Sequence, residues 1–371
     1  MICRISFVTK FIWHIFNDCD DMKQLLLLIC LISFFSCNSN KKNEGGFVKL
    51  PYTVFLEDED LRNPYKMSVT DKYLILTNLK TDTVIDVYSL KGEKLSQFLL
   101  HGEGPNEVLN VVSLQYLERN NALHIIDNFR TKTYSVNLNE IENGDNVEIH
   151  EEQTGLDKLE DKLAVKDWWK FLKNGKLLAS SATSKGMLSY YDVKTNEMTF
   201  FEKYPDSKDI NGSLNESATI GLFQSECSVT PESDKAAVVY YTSDIIGFVT
   251  LENGELNTKF IRSQLPNDIF PIQFEDGAVR GAFTKKSLRH YVTVTANKKN
   301  VYALYCGLSE GECMPGLMRG KFVRCYDWNG DLLHTISLDF DVLQIAVSPD
   351  NEYLYALESS EDGFRVLKYE L

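Results

Sequence analysis

The last thirty residues of the chain carry a hydrophobic pattern that the rest of the sequence repeats. Apolar runs at 345–347, 353–357 and 364–369 are separated by turn-forming residues, first Ser348-Pro349-Asp350-Asn351 and then Asp362-Gly363. Apolar residues occupy both faces of the run 353–357, which is typical of a strand covered on both sides. The pattern therefore predicts three short strands joined by two tight turns.

Two recurring positions indicate that this unit occurs six times. The first position closes a middle strand, and its copies are Thr77, Asp127, Ser181, Tyr241, Tyr305 and Glu358. The second is an aromatic residue in the following strand, at Tyr88, Tyr134, Tyr191, Phe248, Tyr326 and Tyr369. A repeat of this length made only of short strands is typical of a β-propeller, in which each unit forms one blade. We therefore predict an all-β fold, a six-bladed β-propeller over residues 47–371, with another blade number or stacked β-sheets as alternatives.

The two ends of this domain are expected to meet in one blade. The last unit stops after its third strand, whereas a propeller blade has four strands. The extended segment 47–55 at the other end belongs to no unit. We predict that it supplies the missing outer strand, which would close the ring and leave few open strand edges.

Composition fits one large domain and excludes one class of partner. The 371 residues are 43% hydrophobic and 12% aromatic, which is enough to bury a large core. The formal net charge is −14, and no run of Lys and Arg offsets it. Nucleic acids are bound by basic clusters, so we expect no nucleic-acid partner. We expect the chain to be monomeric.

The segment before the propeller has the pattern of a bacterial lipoprotein signal. A positive start at Met22-Lys23-Gln24 precedes the apolar run 25–35, and Ser36 precedes Cys37. The apolar run is short for a membrane span. We predict a signal peptide over 22–36 and lipidation of Cys37, with a transmembrane or core segment as the alternative.

The position of the predicted signal peptide suggests an interpretation for the residues before and after it. Because the signal starts naturally at Met22, residues 1–21 are interpreted as upstream sequence from a misassigned start site. Residues 37–46 are polar and Gly-containing, and they are predicted to be a flexible tether. Lipid chains on Cys37 would then hold the propeller at a membrane surface.

The cysteines of the predicted mature chain are too few for a disulfide framework. Beyond the lipidation site they are Cys227, Cys306, Cys313 and Cys325. A disulfide among the last three is one interpretation, and buried thiols are the other. A metal site there is disfavoured because no C-x-x-C pair or nearby His completes a ligand set.

The connections between the predicted strands are unequal in length. Long links join blades at 138–167, 202–223 and 262–286, and the fifth unit has an expanded hairpin tip at 307–316. In propellers the blade-to-blade links and the tips between second and third strands emerge on the same face. Since loops held by a rigid scaffold commonly carry function, we expect a functional rim on that face.

One link contains the phrase His-Gly-Glu-Gly-Pro-Asn-Glu at 101–107. Its glycines permit a tight path, and its carboxylates are suited to a cation or to sugar hydroxyls. The phrase matches no phosphate-binding loop because the required Lys and Ser or Thr are absent. A purely structural turn is the alternative.

With the six-fold repeat and the lipoprotein signal, this phrase resembles the TolB-like six-bladed propeller lipoproteins of Gram-negative bacteria. In that family a Gly-x-Gly-Pro-x-Glu phrase ends the first blade. The resemblance implies a propeller fold, a location in the cell envelope and no established reaction. The tether lacks the acidic run associated with surface export, so we expect anchoring in the outer membrane with the domain in the periplasm. Surface exposure is the alternative.

A metal-dependent activity can be constructed by analogy with lactonase-type propellers, which bind a divalent ion at the central channel. Here Asp127 and Glu358 are carboxylates at the repeated position of different blades, and Asn78 and Asn128 are adjacent to that position in their units. Such oxygen ligands would suit calcium or magnesium. Solvated channel residues are the alternative, and we expect no cofactor.

Two hypotheses about function remain. The preferred one is a non-enzymatic binding scaffold, tethered through Cys37, that holds a protein or glycan partner. Its candidate rim residues are His101, Glu103, Glu107, Glu310 and Glu312. The second hypothesis is a metal-dependent hydrolase or lactonase-type enzyme. No catalytic residue is assigned, since no His lies in the context of a Ser or Cys nucleophile, and His124 falls inside a predicted strand.

Overall fold

The computed structural model describes residues 46–57, 61–104, 106–127, 132–143, 147–154, 165–210, 214–275, 277–313, 318–360 and 363–371. The predicted upstream sequence, signal peptide, Cys37 and nearly all of the tether lie outside the described residues, as does Asn128.

The N-terminal half of the described chain forms two short strands and then three four-stranded blades. The first strands are β1 (Phe47–Val48) and β2 (Tyr52–Glu57). Blade 1 contains β3 (Pro64–Val69), β4 (Tyr73–Asn78), β5 (Thr83–Ser89) and β6 (Lys94–His101), with β7 (Glu107–Val108) paired to β6. Blade 2 contains β8 (Val111–Leu117), β9 (Ala122–Asp127), β10 (Lys132–Asn137) and β11 (Ile149–Glu152). Blade 3 contains β12 (Val165–Phe171), β13 (Leu177–Ser181), β14 (Leu188–Asp192) and β15 (Glu197–Phe201).

The C-terminal half adds one separate blade, a hairpin and a larger sheet. Blade 4 contains β16 (Ser225–Val229), β17 (Lys235–Tyr240), β18 (Asp244–Glu252) and β19 (Glu255–Gln264). The hairpin is formed by β20 (Ile269–Gln273) and β21 (Val279–Phe283). The larger sheet contains β22 (Tyr291–Ala296), β23 (Asn300–Tyr305), β24 (Gly320–Asp327), β25 (Leu332–Val347), β26 (Tyr353–Ser360) and β27 (Gly363–Glu370), together with β1 and β2.

The larger sheet is two blades that share one long strand. The first part of β25 pairs with β24, with Thr335 opposite Arg324, and its last part pairs with β26, with Ile345 opposite Ala356. Strand β25 is thus the outer strand of blade 5 and then the inner strand of blade 6. Inner strands β3, β8, β12, β16, β22 and β25 contact one another in that order, and β25 returns to β3. The prediction of an all-β, six-bladed propeller is confirmed.

The N-terminal segment closes the last blade. Strand β2 pairs antiparallel with β27, from Tyr52 opposite Tyr369 to Glu57 opposite Arg365. Its bounds differ from the predicted 47–55, because β1 instead runs parallel to the outer part of β25 in blade 5. Pro51, which has no N–H to donate to a ladder, separates the two short strands.

The hydrophobic core lies between blades rather than within them. Among the described residues, six clusters of buried side chains each join two neighbouring blades. The cluster that contains Leu56 and Tyr355 joins blade 6 to blade 1. Neighbouring residues of a strand serve opposite interfaces, as Val238 and Val239 do in blade 4. The repeated aromatic position is buried in all six third strands. A single blade therefore cannot bury its own apolar faces.

The helical content is small and lies mostly in connections. Helices α1 (Ser207–Ile210) and α2 (Glu216–Leu222) occupy the link between blades 3 and 4, and the Asn215 side chain caps α2 by accepting from the Ala218 N–H at 2.8 Å. Two 3-10 helices occur among the described residues, Glu118–Asn120 and Leu138–Asn143. Within the described part of the chain, no helix has the length and apolar content needed to cross a bilayer.

Candidate functional site

The connections divide the propeller into two unlike faces. In each blade the inner strand starts where the second strand ends, as in the register pair Val111 and Asp127 of blade 2. Blade-to-blade links and the tips after the second strands therefore share one face, which we call the loop face. The opposite face carries the short turns between first and second strands, and we call it the turn face.

The predicted links 202–223 and 262–286 join blade 3 to blade 4 and blade 4 to blade 5 on the loop face, where the fifth unit's tip also lies. The prediction of one blade-to-blade link over 138–167 is wrong, because this stretch contains β11, the outer strand of blade 2. The connection from β10 to β11 joins third and fourth strands and therefore lies on the turn face.

The phrase at 101–107 forms a compact loop at the end of blade 1. The Gly104 N–H donates to Glu107 Oε2 at 2.6 Å. A Cβ at Gly104 would lie 2.9 Å from the Glu107 carboxylate, and one at Gly102 would overlap it. The Glu107 side chain thus folds across both glycines, and a larger residue at either position would displace its carboxylate. These contacts favour the structural interpretation for Glu107, whereas His101 and Glu103 are exposed and their binding role stays a prediction.

The tip of blade 5 is ordered by its own carboxylates. Glu310 forms an ion pair with Arg289. Glu312 accepts from the Ser309 backbone N–H at 2.9 Å and from its hydroxyl at 2.6 Å, and these bonds lower the pKa of Glu312. The two glutamates hold the tip in shape, and their predicted contact with a partner stays a prediction.

The cysteine positions narrow the disulfide prediction to one pair. Cys306 Sγ and Cys313 Sγ lie 3.9 Å apart, and both are free thiols, as is Cys325 in β24. Burial raises the pKa of Cys306 to about 12 and that of Cys325 to about 11. A disulfide stays a prediction, with Cys306 and Cys313 as the pair in sulfur contact.

The predicted channel carboxylates are held by contacts in or beside their own blades. The buried Asp127 side chain accepts from the Leu109 N–H at 2.8 Å, and Glu358 forms an ion pair with Arg365 of the adjacent strand. The buried Asn78 side chain donates to Asp86 at 2.7 Å. Among the described residues, no group of three or more His, Cys, Asp and Glu side chains is placed to hold a metal ion. The calcium or magnesium hypothesis stays a prediction that these contacts do not favour.

The central channel instead contains a charged cluster that sequence reasoning missed. A cavity of ≈ 100 Å³ is lined by all six inner strands. Lys66 of blade 1 forms an ion pair with Glu226 of blade 4, which lies across the ring. Lys170 of blade 3 is buried, and its Nζ donates to the Ser113 hydroxyl and, at 3.1 Å, to the Leu114 carbonyl.

Burial dominates the electrostatics of this cluster. It lowers the pKa of Lys170, against the raising influence of Glu226, because the charged ammonium is removed from water. Burial raises the pKa of the Cys227 thiol and the pKa of the Tyr241 hydroxyl. The negative charge of Glu226 raises both pKa values further. The Cys227 thiol and the Tyr241 phenol are therefore uncharged at neutral pH.

One signal in the sequence could have revealed the channel cluster. Lys66 and Glu226 interrupt short apolar inner strands, and Lys170 follows the buried pair Trp168-Trp169. Charged residues inside strands that are otherwise buried need partners, so such positions indicate a polar channel. Which of them meet across the ring is not encoded in local spacing.

Comparison with known proteins places the fold in context. The model of the family described as TolB-like 6-blade propeller-like matches residues 39–350. Among solved structures, a member of the DUF4221 family from Bacteroides vulgatus ATCC 8482 is similar, with a TM-score of 0.56, 13% identity, and coverage of 89% of this chain and 98% of that chain. A protein described as exported, from Bacteroides fragilis NCTC 9343, gives a TM-score of 0.51 at 11% identity, covering 86% and 94%. A comparison with curated proteins found no match.

Proposed function

We propose that this chain, which belongs to the TolB-like 6-blade propeller-like family, is a lipid-anchored protein of the cell envelope that binds a partner protein through its loop face. The anchor would be Cys37, in the outer membrane, with the propeller in the periplasm. Resemblance to this family implies no established reaction, so we favour binding over catalysis.

The observation that carries this proposal is an exposed apolar stripe on the loop face. The stripe is formed by Phe270 and Ile272 on one side of β20 and by Phe274, the residue after the strand, and these side chains are 45%, 39% and 43% exposed. Arg280 of β21 stacks over the Phe274 ring at 4.8 Å. Aromatic and Arg side chains are enriched at the centres of protein interfaces, where they contribute most of the binding free energy.

The hairpin that carries the stripe packs on α2 through part of its other side. Ile269 and the partly buried Phe283 join the cluster that contains Leu222. Gly281 lies so close to Leu222 that a Cβ there would be 2.8 Å from its Cδ2. The rest of that side of β20 is exposed. The packing of β21 and of the start of β20 lowers the conformational entropy that binding has to remove.

The expanded tip of blade 5 continues this surface. The Gly311 N–H donates to the Lys285 carbonyl at 2.9 Å, and the Glu310 N–H donates to the Ser287 carbonyl at 2.8 Å. The tip that carries the exposed Leu308 is therefore hydrogen-bonded to the segment that follows the hairpin. Exposed Lys285 and Lys286 give this part of an acidic protein a local positive charge, which favours a partner with an acidic surface.

The test compares two matched sets of substitutions. The double variant Phe270→Ser, Phe274→Ser removes the stripe, and Leu333→Ser removes an equally exposed Leu from the outer strand of blade 5. Each full-length protein is cross-linked in the envelope of its host, and the linked products are measured by quantitative mass spectrometry. We expect the double variant to lose at least ten-fold of a specific product that the Leu333 variant keeps.

Two other outcomes would change the proposal. Equal cross-linking by all proteins would show that the hairpin is not the binding surface. Loss of capture after treatment of the envelope with glycosidases would identify a glycan, the other partner class expected from the sequence. A set with Glu103→Gln, Glu310→Gln and Glu312→Gln tests the predicted rim carboxylates in the same assay.

A further inference from the structure

The central cavity is lined by more basic than acidic side chains, inside a protein whose formal net charge is −14. Among the described residues that line it, the charged ones are Lys66, Lys170 and Glu226. Lys66 and Glu226 neutralise each other. Lys170 contacts only neutral acceptors, the Ser113 hydroxyl and the Leu114 carbonyl, in its described hydrogen bonds. The protonated form of Lys170 therefore has no carboxylate partner in the lining.

The two ammonium groups also have donors left over. An ammonium offers three N–H donors. The described hydrogen bonds use two donors of Lys170 and one of Lys66. Burying a charged group costs free energy unless it is paired, so a buried ammonium with neutral partners is an unfavourable choice for stability alone.

The hydroxyls of the cavity are arranged as donors too. The Ser113 hydroxyl accepts from Lys170, the Ser228 hydroxyl accepts from the Ala296 N–H at 3.1 Å, and the Thr295 hydroxyl accepts from the Val347 N–H at 3.2 Å. Each of these oxygens is occupied as an acceptor, and each hydroxyl still has its own proton to donate. The lining therefore combines hydroxyl and ammonium donors, which is the complement of an anion.

We infer that the central channel binds a small oxyanion, a carboxylate or a phosphate group, between Lys170, Lys66 and the hydroxyls of Ser113, Ser228 and Thr295. The cavity volume of ≈ 100 Å³ accommodates such a group. Pockets for drug-sized ligands are about 300 to 1,000 Å³, so a whole nucleotide or oligosaccharide does not fit.

The cavity extends toward the turn face. Pro231, Asn297 and Pro349, which belong to turns between first and second strands, line the cavity on that side. The site is thus separate from the apolar stripe on the loop face. An oxyanion would also favour the charged form of Lys170, whose pKa burial lowers.

The experiment measures binding of inorganic phosphate and of acetate to the full-length protein by isothermal titration calorimetry at constant ionic strength. The variants are Lys170→Met, which keeps an unbranched side chain one atom shorter and without the charge, and Ser113→Ala, which removes one hydroxyl donor. The matched control is Lys173→Met, an exposed lysine two residues after the strand. Thermal unfolding with and without each anion provides a second measurement.

We expect phosphate, acetate or both to bind to the wild type and to Lys173→Met, and the dissociation constant to rise at least ten-fold in Lys170→Met. If Lys170→Met does not fold, a weaker affinity in Ser113→Ala supports the same site. No binding of either anion at about 20 mM, where a site with a Kd of about 1 mM is nearly saturated, overturns the inference. Unchanged affinity in the channel variants overturns it as well, because binding would then be elsewhere. The loop-face double variant should bind the anion normally, so the two proposals fail independently.

Discussion

His124 is a buried imidazole, and within the described structure neither of its ring nitrogens has a hydrogen-bond partner. Its ring packs against Phe171 of the next blade, with 4.9 Å between centroids. The sequence placed this residue inside a strand, and the structure adds that it lies at the interface of blades 2 and 3. Burial lowers the pKa of His124 to about 4, because a charged imidazolium would lose its hydration.

This environment makes folding sensitive to acid. The unfolded imidazole titrates near pH 6.5, so between pH 6.5 and 4 the unfolded chain binds a proton that the folded chain does not. Stability is therefore lost as the pH falls through that window, by about 2 kcal/mol between pH 7 and pH 5 from this residue.

We expect His124→Leu to lose correspondingly less stability over the same range, as measured by urea unfolding at pH 7 and pH 5. His101→Leu removes an exposed imidazole and serves as the control. Equal acid sensitivity in the wild type and His124→Leu would show that other groups cause it.

At the scale of elements, ring closure depends on one short strand at the start of the domain. In β2, Leu56 is buried in the cluster that joins blades 6 and 1, whereas Val54 of the same strand is 42% exposed. The backbone pairing of β2 with β27 protects an edge that would otherwise be open. The strand therefore contributes both packing and edge protection.

We expect Leu56→Ala to lower the free energy of unfolding by about 2 to 4 kcal/mol, because it leaves a cavity at a blade interface. Val54→Ala should change it by less than about 0.5 kcal/mol, since its side chain is in water. Urea unfolding of both variants measures the difference. Similar values for the two would mean that β2 is not packed into the ring.

Element patterns also show why the site was predicted only in part. The tip and the links are predictable because their length departs from the repeat, and the tip shares one face with the links 202–223 and 262–286. The stretch 138–167 does not behave as one link, because it contains the short strand β11.

The hairpin of β20 and β21 was not predicted, because 269–283 was read only as part of a long link. Its Phe270 and Phe274 look like ordinary core residues in sequence, and only the packing of the opposite side on α2 shows which side is exposed.

At the scale of the whole molecule, the proposed lipid anchor determines the compartment to which the loop face and the turn face are exposed. The described propeller begins at residue 46, nine residues after Cys37. A chain of this length permits close approach to a membrane without fixing one orientation. The loop face and the turn face would both be accessible from the same compartment.

Intact-protein mass spectrometry tests the anchor. We expect the protein from a Gram-negative host to begin at Cys37 and to carry the added mass of acyl chains, and Cys37→Ala to carry none. Cys313→Ala is the control, because it removes another thiol and should leave the lipid in place. A mature protein that retains residues upstream of position 37 without lipid would contradict the anchor.

The sequence by itself determined the all-β class, the number of blades and the strand that closes the ring. It did so because each blade repeats the same local pattern of turns and buried aromatic residues, and because a three-stranded last unit needs a fourth strand. Only the tertiary structure decided the channel cluster, since Lys66 and Glu226 are 160 positions apart and meet because blades 1 and 4 face each other across the ring. The physical reason is that backbone pattern is local, whereas the pairing of buried charges depends on which blades oppose each other.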